Sequence, residues 1–218
     1  MNYDSTINNT VEQTYYELVE TSSDINEHLP TFKKYSEECH HITEMGVRSV
    51  VSTYAFVVAK PKKLVSIDIC HPKTWDDKWK SYGRKDIPSG ANRLLDIEEY
   101  SKVNNIIYSF ILGDTLQMNI EETDLLFIDT LHCYNQLKQE LKLHEHRVKK
   151  YIILHDTESH KYTDEDSTGR IGTNSKDKIG LLPALEEFLE SNSNWKIREI
   201  FVNCNGLTVL ERISDESL

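Results

Sequence analysis

At 218 residues with a formal net charge of −11, the chain is long enough for one α/β domain with a sizeable core and too short for two. Its acidity argues against nucleic acid as a partner, because affinity for a phosphate backbone rests on clustered Lys and Arg. Cys39, Cys70, Cys133 and Cys204 lie far apart, with no CxxC pair or zinc-knuckle spacing, and read as reduced thiols of a cytoplasmic protein. The start MNYDSTINNTVEQTYY has neither a basic stretch nor an apolar core, and no window approaches the roughly 20 apolar residues of a membrane span, so no membrane partner is expected.

In chain order, residues 1–38 read as a helical extension containing DINEHLPTFKKYSEEC, packed outside the sheet and helping to cover the site. Residues 39–213 read as the main domain and 214–218 as a tail. Five short apolar runs follow the extension: HHITEMG (40–46), KLVSIDI (63–69), IIYSFILGD (106–114), DLLFID (124–129) and YIILHD (151–156). Their hydrophobicity is continuous rather than alternating, as in parallel strands covered on both faces. Helical patterns lie between them in VVSTYAFVVAK, in LLPALEEFLESN and in YNQLKQELKLHEHRVKK, where Tyr134, Leu137, Leu141, His144 and Val148 form one stripe. The last two strand-like runs, WKIREIFV and LTVLERI, flank NCNG, and Asn205-Gly206 is a type I′ hairpin signal. The pattern predicts a doubly wound, mostly parallel seven-stranded α/β sheet that closes with an antiparallel hairpin.

Two stretches without periodicity, 71–92 and 157–178, are far longer than ordinary connections and leave from the carboxyl ends of strands, where ligands bind in open α/β sheets. Both are candidate lids; the polarity of the second equally suits a disordered insertion. Trp75 and Trp79, four apart, suit either an apolar wall over a substrate or the packing of a short helix.

The strand ends carry the candidate chemistry. TEMGVRSVVS places Glu44 and Gly46 ahead of a helix expected to begin near Ser49. A dinucleotide loop needs GxGxxG, and only one glycine is present. S-adenosylmethionine carries no phosphate, so one close approach at Gly46 suffices, with helix N-terminal amides facing the methionine carboxylate and Glu44 balancing the ammonium group. A surface glutamate is the plainer reading of Glu44. Asp68 closes the second strand 22 residues beyond Gly46, a spacing suited to ribose hydroxyls. Asp114 ends the third strand, either near an adenine amino group or as a turn aspartate.

The succession ExG, Asp68, Gly113-Asp114, FIDTLHCY, YIILHDT and a terminal hairpin resembles class I S-adenosylmethionine-dependent methyltransferases. More narrowly it is similar to the small-molecule and sugar O-methyltransferases related to cephalosporin-biosynthesis and rhamnosyl enzymes. The resemblance spans roughly residues 40–213 and is strongest in LLFIDTLHCYNQLKQEL and YIILHDT; DINEHLP also looks like a lead-in found in the group. It implies a Rossmann-like methyltransferase fold, S-adenosylmethionine as cofactor, and a hydroxyl of a small molecule or saccharide as acceptor. It further implies that Asp129 and Asp156 hold Mg2+ or another divalent cation. Independently, these aspartates end strands expected to be neighbours about 4.8 Å apart, so their carboxylates converge, which favours a shared cation or a raised pKa. His132 is a candidate base. His155 is a candidate for the metal shell, although strand alternation points it away from Asp156. The chain departs from the catechol-type pattern in having Thr157 where a second Asp or Asn follows.

Three other functions compete. A methyltransferase fold that only binds is supported by Thr157 and the single glycine. A metallophosphoesterase is disfavoured by the missing GNH element, and a nicotinamide reductase by the missing glycines and YxxxK pair.

Overall fold

A computed structural model describes residues 3–83, 88–165 and 179–213. Its strands are β1 (His41–Met45), β2 (Lys63–Asp68), β3 (Ile107–Leu112), β4 (Thr123–Ile128), β5 (Val148–His155), β6 (Trp195–Phe201) and β7 (Leu207–Arg212). They form one sheet in the order β3-β2-β1-β4-β5-β7-β6. The first five run parallel, while β7 lies antiparallel to both β5 and β6. Strand order reverses between β1 and β4, so the crevice expected of a doubly wound sheet opens at their carboxyl ends.

Side chains alternate across the sheet and build two cores. On one face Ile42, Leu64, Leu125, Phe127 and Ile153 pack with Val11, Phe32, Phe56 and Ile97. These come from the helices α1 (Tyr3–Glu20), α2 (Leu29–Ser36), α3 (Ser52–Val58) and α5 (Gly90–Val103). On the other face Met45, Ile67, Leu126, Ile128 and Leu154 meet Leu137, Leu141 and Leu185 of α6 (Tyr134–His144) and α7 (Leu181–Ser191). The N-terminal helices thus share the core of the sheet. At about 25 cal/mol per Å² of apolar surface, each such large side chain contributes roughly 1.5–3 kcal/mol to folding.

Two expectations are corrected. The stretch 71–92 is not a structureless lid: α4 (Pro72–Ser81) occupies its first half. Pro72 sits in the first turn, where its missing N–H costs nothing, and His71 Nδ1 accepts from the amide of Lys73 at 3.1 Å. Trp75 and Trp79 stack along this helix, 6.5 Å between centroids. Asp76 then starts α5, accepting from the amides of Gly90 and Ala91 at 2.7 and 3.0 Å. α4 lacks a long apolar stripe, which hides it in the sequence. The other correction concerns the stripe from Tyr134: it ends at His144, and Val148 opens β5 instead. Of the second long loop, residues 166–178 lie outside those described, as does the tail 214–218. Among the described residues no helix is long and apolar enough to cross a membrane.

Candidate active site

The turn after β1 fixes the floor of the crevice. Gly46 has φ +88, and a Cβ there would overlap the carbonyl of Asp129. The close approach of β1 and β4 is therefore sufficient by itself to require glycine here. Val47 and Arg48 both donate their amides to Asp68 Oδ2 at 2.8 Å, and Cys70 donates to Oδ1 at 2.7 Å. Asp68 is nearly buried and braces the turn that was expected to face a ligand. The helix begins at Ser52 rather than near Ser49, whose carbonyl accepts from Arg93 Nη1 at 3.1 Å.

Glu44 is corrected outright. It is fully buried, and its carboxylate accepts from Ser52, Thr53 and Ser66 hydroxyls at 2.5, 2.9 and 2.6 Å. It joins β1, β2 and α3 in the core and cannot meet an ammonium group in the crevice. Burial outweighs these hydrogen bonds and pushes its pKa up to about 7. Asp114 folds onto its own turn, accepting from the amide of Leu116 at 2.9 Å and Gln117 Nε2 at 3.0 Å.

Four side chains converge where β4 and β5 end. His132 Nε2 lies 3.1 Å from Asp129 Oδ1 and 2.9 Å from Asp156 Oδ2. His155 Nδ1 lies 3.4 and 3.2 Å from the same two oxygens. The expectation that His155 points away from Asp156 is thus corrected. Alternation assumes that the strand continues, but Asp156 has left it with φ +59, turning its carboxylate back toward the face that His155 occupies. Thr157 turns instead to Thr208, 3.1 Å between hydroxyl oxygens.

Residues with no signal in the local sequence complete the cluster. Glu165 Oε2 stands 3.3 Å from His132 Nδ1, and His160 stacks on His132 with centroids 4.9 Å apart. The Asp24 carbonyl lies 3.1 Å from His155 Nε2, while the Asp24 carboxylate pairs with Arg48 Nη2 at 2.5 Å. His28 stands edge-on to His155 at 5.7 Å between centroids. The sequence marks the extension containing DINEHLP as a cover of the site and the stretch 157–178 as a candidate lid, but assigns no role to these individual residues.

The electrostatics follow from this geometry. Burial alone would lower the pKa of His132, but its hydrogen bonds to Asp129, Asp156 and Glu165 overcome that and push it up to about 12. His155 is likewise raised, against burial, by the charges of Asp129 and Asp156. Burial would raise both aspartates, yet the two imidazoles hold them well below the usual carboxylate range. Positive charge belongs at this point, supplied by protons or by a cation.

The donors fit a divalent ion. Asp129, His132 and Asp156 offer ligand atoms within 4.8 Å of one another, and the buried Nδ1 of His155 has no hydrogen-bond partner. A neutral imidazole nitrogen facing two carboxylate oxygens is the arrangement a cation relieves.

No protein-family model matches the sequence, and no curated protein matches it. Solved structures do match in fold. An O-methyltransferase from Bacillus cereus, determined in complex with S-adenosylhomocysteine, has a TM-score of 0.54 at 15% identity, covering 97% of this chain and 92% of its own. TomG, an O-methyltransferase from Streptomyces achromogenes involved in tomaymycin synthesis and determined in complex with S-adenosylmethionine, gives 0.51 at 15% identity, covering 98% and 100%. A Corynebacterium glutamicum protein gives 0.58 at 10% identity, covering 99% and 93%. At these identities the likeness establishes the fold, which is the Rossmann-like fold of class I S-adenosylmethionine-dependent methyltransferases.

Proposed function

We propose that the chain is an S-adenosylmethionine-dependent methyltransferase acting on a hydroxyl oxygen of a small molecule or saccharide, assisted by a divalent cation. The observation that carries this reading is the convergence of Asp129, His132, His155 and Asp156 at the carboxyl ends of β4 and β5, beside the point where the strand order of a methyltransferase-type sheet reverses. Bound in the crevice, S-adenosylmethionine would supply an electrophilic sulfonium methyl, and a cation held by Asp129, His132 and Asp156 would polarise the acceptor hydroxyl.

The remaining work falls to the chain itself. Asp129 and Asp156, fixed on rigid strand ends, hold the acceptor oxygen in place, and positioning is the main source of acceleration in such a transfer. Asp129 takes the hydroxyl proton on its outer oxygen, while His132, with Nε2 at 3.1 Å from Asp129 Oδ1 and 2.9 Å from Asp156 Oδ2 and Nδ1 at 3.3 Å from Glu165, holds the two carboxylates in register. Asp68 and Asp114, at the ends of β2 and β3, are the proposed ribose and adenine contacts. Asp68 then offers the lone pair that the three amides leave unused.

One observation favours a second reading, a noncatalytic binder: the amides of Val47 and Arg48 are engaged by Asp68 and so do not face a cofactor carboxylate. The two separate on turnover. Incubation with methyl-labelled S-adenosylmethionine and a panel of catechols, flavonoids and glycosides, with Mg2+ or Mn2+, is expected to label at least one acceptor and to lose that label in Asp129→Asn. Cofactor binding without transfer to any acceptor supports the binder.

A further inference from the structure

The two imidazoles distinguish this cluster from an all-oxygen one. His132 turns Nε2 and His155 turns Nδ1 toward the same pair of oxygens, Asp129 Oδ1 and Asp156 Oδ2, at separations from 2.9 to 3.4 Å. Atoms bound at about 2.0–2.2 Å to one ion stand roughly 3–3.5 Å from one another, the spacing that each imidazole keeps to the two carboxylates.

The outer nitrogens are occupied as well. The Nε2 of His155 meets the carbonyl oxygen of Asp24 at 3.1 Å, which can only accept. The proton of a neutral ring therefore sits on Nε2, leaving the Nδ1 lone pair directed inward. That side chain is 1% exposed, and its Nδ1 has no hydrogen-bond partner. The outer Nδ1 of His132 meets Glu165 at 3.3 Å. A carbonyl or carboxylate behind each imidazole is the support that metal-bound histidines carry.

Resting on the reading of this crevice as a metal-assisted site, we infer that His132 and His155 are themselves metal ligands beside Asp129 and Asp156, making a two-nitrogen, two-oxygen centre for a transition ion such as Mn2+, Fe2+, Co2+ or Zn2+. Mg2+, which prefers oxygen and dehydrates reluctantly, is the poorer occupant. Asp24 is a positioning residue that acts through the ring of His155. The DINEHLP segment thereby acquires a role: it closes the back of the centre.

The test uses the full chain with metal ions alone, without cofactor or acceptor. X-ray absorption on protein loaded with one equivalent of Co2+ or Zn2+ is expected to show the multiple-scattering signature of two imidazoles. His132→Gln is expected to weaken Co2+ by about 10- to 100-fold while changing Mg2+ affinity little, with circular dichroism verifying the fold. His155 is buried, so its variant is reserved for confirmation and the unmodified protein carries the spectroscopic result. An all-oxygen shell, or equal losses of Co2+ and Mg2+ affinity in His132→Gln, overturns the inference. Because S-adenosylhomocysteine binding is measured separately by calorimetry, failure of the metal assignment and failure of the methyltransferase reading are told apart.

Discussion

The carbonyl oxygen of Asp24 and the Nε2 of His155 lie 3.1 Å apart across 131 residues of chain. The contact ties the turn after α1 to the end of β5, and His28 secures it. His28 is buried, with Nε2 at 3.1 Å from the carbonyls of both Asn203 and Cys204 in the β6–β7 hairpin. His28→Ala is expected to lower stability by roughly 2–4 kcal/mol through a cavity and lost hydrogen bonding. Urea denaturation measures this, and hydrogen exchange is expected to show faster opening of the amides from Asp24 to His28. Unchanged stability would make the segment an ornament on the fold.

Asp129→Asn and Asp156→Asn are each expected to keep the fold and cofactor binding while reducing methyl transfer by about 10²- to 10⁴-fold. Asparagine is nearly isosteric and tolerates the left-handed backbone of Asp156, φ +59. Thermal denaturation and labelled-methyl transfer give the two readouts. Lost stability with intact turnover would assign both residues a structural role.

Gly46→Ala is expected to be among the most destabilising single changes in the sheet. The new methyl overlaps the carbonyl of Asp129, and φ +88 penalises any side chain, so a loss of several kcal/mol follows from backbone strain and overpacking. Soluble expression and urea midpoints test it. A mild effect on folding coupled to loss of S-adenosylhomocysteine binding would return Gly46 to the cofactor.

Much of the architecture was legible because it depends on local pattern. The apolar runs became strands within a residue or a few, and Asn205-Gly206 marked the closing hairpin. Asp129, His132 and Asp156 were legible from their place at strand ends and from the methyltransferase resemblance. Asp24, Arg48, His160 and Glu165 were not, since each reaches the cluster by a long-range contact that no spacing encodes. Glu44 misleads for a related reason. An acidic residue beside a glycine turn has the same sequence signature whether it faces a ligand or ties elements together in the core, and only the positions of Ser52, Thr53 and Ser66 distinguish the two.

Glu44 also predicts a pH dependence. Its pKa rises from 4.5 to about 7 on folding, so between these values the native state holds a proton that the unfolded chain has released. Stability from this group is present at low pH and declines as pH rises through that window, by at most roughly 3 kcal/mol. Glu44→Gln removes the titration, so its stability relative to the parent protein is expected to rise between pH 5 and pH 8. Parallel urea curves check this, and a difference independent of pH would show that Glu44 is ionised in the core.

The most direct measurement of the central claim is calorimetric titration of the full chain with S-adenosylhomocysteine, repeated on Asp68→Ala. One saturable site per chain, weakened by loss of the Asp68 carboxylate, is the predicted result. No saturable binding to the folded parent protein, with or without divalent metal, would contradict a cofactor crevice above β1, β2 and β4.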